Sequence, residues 1–325
     1  MKRILSTIAA LALAAIFGAA QTSPSTPSGA GSQQQQQANP QTAAPGQAAP
    51  GQTATPGQTP AQPAGKKRPE AKSQEEFQEF QKAQASTTPD ALDKAADAFA
   101  QKYPASELRT LLYSHAMMMY QQQNNPEKLV DVAQKITAID PSDPLANVFI
   151  ATFVPEQVRD TDLDRDQKYD EAAKAAQTAL ANVDNMPANP DAPPERVQAN
   201  KNLLRSMAYT ALGTIALNKN DNAGAEKNLK QAIDIGQGVN SDPVMYLRYA
   251  VALDHDKKYQ EALAPANKAL ELSPQGSAYY KLASQERDRL MALMGSNAAP
   301  KPTTTTPRPP QASPTTPQVN PTTPK

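Results

Sequence analysis

The densest run of chemistry-bearing side chains in this sequence is Asp160, Asp162, Asp164, Asp166 and Glu171. Counted from Asp160, carboxylates fall at the first, third, fifth, seventh and twelfth places, the oxygen spacing of a calcium loop. The sixth place of such a loop needs glycine for its sharp turn, and here it is Arg165. Lys168 adds a second positive charge inside the run. A solvated acidic loop entering a helix N-terminus, where the dipole favours carboxylates, explains the same residues without a metal. That is the leading reading, and calcium is the secondary one.

Other chemistry finds little to stand on. There is no Cys, which removes disulfides, thiolate metal sites, Cys nucleophiles and a lipid-modified N-terminal Cys. The two histidines, His115 inside a helical pattern and His255 at a turn, have no nucleophile paired with them in sequence. Asp170 and Glu171 are neighbours on a helical pattern and diverge, so they are no acid–base pair. No phosphate loop, dinucleotide fingerprint or nucleophile elbow is present. Catalysis and a cofactor are therefore not expected.

The chain is 325 residues, but composition confines the foldable part. Nine of the 31 prolines lie in residues 21–72 and nine more in 296–325. The rest of both stretches is mostly Gln, Thr, Ala, Gly and Ser, too poor in apolar surface to offset the entropy of ordering. Gln33–Gln37 is a glutamine run, Pro-Gly-Gln recurs at 45, 50 and 56, and the C-terminal tail repeats Thr-Thr-Pro. Such tails read as disordered, semi-extended spacers, with wall association or glycan on Thr303–Thr306 as the functional alternative. Between them, residues 73–295 hold 23 Lys and Arg against 31 Asp and Glu. A mildly acidic module with no basic stripe argues against nucleic acid as its ligand.

Residues 1–20 read as a secretory signal. Lys2 and Arg3 are its charged start, Ile4–Phe17 its apolar stretch and Gly18-Ala19-Ala20 its small-residue cleavage site. The apolar stretch is too short to span a bilayer comfortably, and no other segment could cross one. The expected address is exported, periplasmic or secreted, from a bacterial cell, with no membrane span after cleavage.

Within 73–295 the apolar residues recur at helical spacing, in segments broken by Pro, Asn or Asp, and no alternating strand pattern appears. One unit returns. Tyr113-x2-Ala116-Met117-x2-Tyr120 leads to Leu129, Ala133 and Ile136. Tyr209-x2-Leu212-Gly213-x2-Ala216 leads to Ala225, Leu229 and Ala232. Tyr246-x2-Tyr249-Ala250-x2-Leu253 leads to Ala262, Ala266 and Ala269. Each time 16 residues separate the first Tyr from the residue opening the second helix. Small residues such as Gly213, Ala225, Ala250 and Ala262 allow two helices to approach closely.

This pattern resembles the tetratricopeptide repeat, with Tyr where that family has Trp and one surviving Leu-Gly pair at 212–213. Units are expected near 73–104, 107–141, 143–183, 195–237 and 241–274, with a capping helix at 276–294. The resemblance implies an all-α fold, a right-handed helix–turn–helix solenoid of about five units. It also implies a concave groove lined by first helices that holds a protein or peptide partner. Carried over residue by residue, its floor is Ser114, Met118, Gln121, Val148, Thr152, Thr210, Thr214, Asn218, Leu247, Val251 and Asp254. Val148, Leu247 and Val251 read equally as core. Of Met117, Met118 and Met119, at least one must be core, because three consecutive residues cannot share one helical face. None of the floor positions is Lys or Arg, which disfavours clamping a partner's terminal carboxylate. The expected function is an exported adaptor binding an envelope partner segment. The alternative is a spacer, or a cell-wall or polysaccharide-associated protein using its Pro-rich tails. Self-association through the open ends is left open.

Overall fold

The computed structural model describes residues 69–186 and 192–298. The expected leader 1–20, most of the expected linker, residues 187–191 and the tail from 299 lie outside the described residues. Within them are eleven α-helices and no strand.

The helices pair in chain order. The first hairpin is α1 (Gln74–Gln84) with α2 (Pro89–Lys102), and the second is α3 (Leu108–Gln122) with α4 (Pro126–Ile139). The third is α5 (Pro144–Gln157) with α6 (Arg165–Asn182), the fourth α7 (Pro194–Asn218) with α8 (Asn222–Gly236). The fifth is α9 (Pro243–His255) with α10 (Tyr259–Leu272), and α11 (Ala278–Ala298) packs on α10 and α9. The second helix of each hairpin also packs on the first helix of the next, so the hairpins stack into a helical repeat solenoid.

Local sequence sets the helix ends. Ser73, Thr88, Asn125, Asp143, Asp221 and Asp242 each precede a helix and accept a backbone N–H from its first turn. At α2, α4, α5 and α9 the cap is followed by proline, whose missing N–H costs nothing there. The turn inside three hairpins is one motif. Asn124, Asn220 and Lys257 have φ of 54°, 60° and 62°. Each lies the same number of residues after its repeat's first tyrosine, Tyr113, Tyr209 or Tyr246. The next residue's N–H then reaches back to Tyr120, Ala216 or Leu253 at 3.0, 2.8 and 2.9 Å, closing the helix end.

Packing follows the small residues. Ala225, Ala250 and Ala262 are fully buried. A Cβ added to Gly213 would lie 2.5 Å from Leu229 Cγ, so α7 and α8 touch where only hydrogen fits. Buried Ser206 Oγ donates to the Ala232 carbonyl at 2.8 Å and accepts from Asn240 at 2.9 Å, which fixes α8 and the turn into α9. One continuous core runs from Phe80 through Leu92, Met117, Ile136 and Phe149 to Leu204 and Ala211.

One helix runs past a proline, and one boundary differs from expectation. The first helix of the third repeat runs through buried Pro155 to Gln157. Proline lacks the N–H for one helical bond, yet the extra turn carries Glu156, which is bound elsewhere in the fold. The loop between α5 and α6 is residues 158–164. The folded part also starts before residue 73: Ala71 packs on the core, and Lys72 Nζ donates to the Ala105 carbonyl at 2.7 Å.

Candidate functional site: the inner helix faces

The first helices of the repeats are held from one side by the second helices. On α3, Tyr113 donates to Asp97 at 2.8 Å and Tyr120 to Asp90 at 2.6 Å, both on α2. Burial pushes both phenols up from their ordinary value. Lys135 of α4 bonds Asp93 and Asp97 and lies over the Tyr113 ring. The face of α3 opposite these tyrosines carries Leu111, His115 and Gln122. His115 and Gln122 are exposed and Leu111 half-buried, so this stripe is the open inner surface of the second repeat.

Counted from the tyrosines, the equivalent places in the fourth repeat are Met207, Ala211 and Asn218, of which the first two are buried. In the fifth they are Val244, Arg248 and His255, and in the third, aligned by its Asp-Pro start, Leu145, Phe149 and Glu156. Val244, Leu145 and Phe149 are buried. The inner side is thus most open at the second repeat. There α3 and α5 make at most marginal contact, whereas α5 packs along α7.

The expected floor residues scatter. Val148 is fully buried in the main core, which Met118 also joins. Leu247 is buried against Ala269 and Ala283, with Val251 half-buried beside it. Ser114, Gln121, Thr210 and Thr214 are buried, and Thr152 and Asn218 half-buried. Thr210 and Thr214 donate their hydroxyls to the carbonyls of Ser206 and Thr210 at 2.8 Å. The Thr152 hydroxyl oxygen is buried without a partner. Asp254 is buried and bound to Arg289 of α11. Met117 and Met118 are buried and Met119 half-buried, all in the main core.

The acidic run does not gather. Asp162 accepts the Arg159 N–H at 3.1 Å and Lys168 Nζ at 3.2 Å. Those two contacts, the amide first, hold its carboxyl below the usual range. Lys168 also pairs with Asp164 at 3.0 Å, and Glu171 accepts from Gln167 at 2.8 Å. Among the described residues no group of three His, Asp or Glu side chains could hold a metal ion. Leu163 stands at the loop tip fully exposed.

One charged contact was illegible in the sequence. Arg248 of α9 donates to Glu156 of α5, 92 residues away, and the two side chains are only 11% and 19% exposed. Asp242, which caps α9, lies in their field, and burial pushes its carboxyl up.

Residues 210–277, which span the fourth and fifth hairpins, match the tetratricopeptide repeat family. The chain is similar to the crystal structure of a thermophilic TPR protein from Thermus thermophilus, at 17% identity and a TM-score of 0.34. That similarity covers 67% of this chain and 98% of the other. No curated protein matches the sequence.

Proposed function

We propose that this chain is a protein-interaction scaffold, exported from a bacterial cell, whose inner face holds an extended segment of an envelope protein beside α3. The observation that carries this reading is the open stripe Leu111, His115 and Gln122 on α3, a helix that makes at most marginal contact with α5. The surface is uncharged at neutral pH, where burial favours the neutral form of His115. It suits main-chain hydrogen bonding and shallow apolar contacts. Export rests on Lys2, Arg3, the apolar Ile4–Phe17 and Gly18-Ala19-Ala20.

The test is partner capture by His115→Glu/Gln122→Glu against a chain lacking 296–325. The exposed pair is chosen because Thr210, Thr214 and Leu247 are buried, so charging them would disturb packing. The scaffold reading expects the double variant to lose capture while its melting temperature is unchanged. If only the tail deletion abolishes capture, the solenoid is a spacer and the tails do the binding.

A further inference from the structure

Repeats in a solenoid ordinarily touch only their sequence neighbours, so stiffness is set one boundary at a time. The Glu156–Arg248 bond departs from that rule by joining the third repeat to the fifth. Both residues occupy inner-stripe places, and both α5 and α9 lie against α7. The bond therefore passes over the inner side of the fourth repeat. With both partners mostly out of water, salt screens it far less than an exposed pair. The same block is held by the packing of α5 along α7. The boundary before it is different. There α4 packs on α5, but the inner helices α3 and α5 scarcely meet.

We infer that the third, fourth and fifth repeats move as one stapled body, and that the inner groove changes width by a swing between the second and third repeats. The open stripe of α3 lies on one side of that swing and the stapled block on the other. A segment held there would be gripped or released by a single boundary rather than by a spring-like stretch of the whole solenoid.

The chain has no cysteine, so pairs of spin labels can be introduced without removing anything. One pair goes at Gln177 and Asn267, exposed on the outer helices of the third and fifth repeats. The other goes at Gln134 and Gln177, exposed on the second and third. The expected result is a broader distance distribution for the second pair, although its repeats are adjacent. Arg248→Gln and Glu156→Gln should each broaden the first pair and move it to longer separation, and the exchanged variant E156R/R248E should restore it. The inference fails if the unsubstituted first pair is as broad as the second, or if neither single variant moves it. Loss of helical circular dichroism in both single variants would also overturn it, because the bond would then hold the fold rather than its pitch.

Discussion

At the scale of single residues, a few positions leave little room for change. Gly213 is a case where helix propensity and packing disagree. Alanine is the better helix former by about 1 kcal/mol. Its Cβ would meet the branch point of fully buried Leu229, and overpacking typically costs about 1–3 kcal/mol. Gly213→Ala should therefore lower the melting temperature in a thermal scan, and Gly213→Ala/Leu229→Ala should cost less than the two single changes summed. A rise in melting temperature for Gly213→Ala would contradict the close approach. Asp242 makes a pH prediction. Its carboxyl is raised by burial, so the folded state binds that proton more tightly than the unfolded chain. Its contribution must then favour folding increasingly as pH falls from neutral into the carboxylate range, and be lost as pH rises again. Asp242→Asn keeps a good N-cap and removes the buried charge. It should leave stability at pH 7 equal or higher, and flatten the change in melting temperature between pH 7 and pH 5. These local features were unevenly legible. The tyrosine-to-second-helix interval of 16 residues is visible because it is dictated by contacts inside one hairpin. The Glu156–Arg248 bond is not, because it depends on how three hairpins stack.

At the scale of elements, the helix starts were written in Thr-Pro, Asn-Pro and Asp-Pro pairs, and the structure uses them as caps. The hairpin turns were less visible. Asn124 and Asn220 adopt the left-handed conformation at modest cost, whereas Lys257 does so with a full side chain and no local hydrogen-bonding substitute. Lys257→Asn or Lys257→Gly should stabilise the protein by roughly 0.5–1 kcal/mol, measured by urea unfolding. Destabilisation would mean that the Lys257 side chain contributes something its backbone strain conceals. Pro155 sits inside α5, since a proline can be carried when the next residues are anchored by tertiary contacts. The assignment of inner-face residues met an obstacle of its own. On short helices such as α5 and α9, apolar side chains serve core and groove alike, so Val148 and Leu247 could not be placed from pattern alone.

At the scale of the whole molecule, stacked hairpins bring widely separated residues onto one long surface, and the chemistry of that surface decides what it can hold. The foldable part is acidic overall, yet its open inner stripe is nearly uncharged. That contrast supports recognition of a peptide backbone over recognition of a polyanion. Among the described residues no helix is long and apolar enough to cross a membrane. The most direct test of the scaffold reading is site-specific photocrosslinking in intact cells, with the reactive residue at His115 or Gln122 and, as outer-face controls, at Gln177 or Gln231. The expected result is one protein band, other than the chain itself, captured from the two α3 positions and from neither control. Equal capture from both faces, or crosslinks to the chain's own copies alone, would contradict an inner-face binding site.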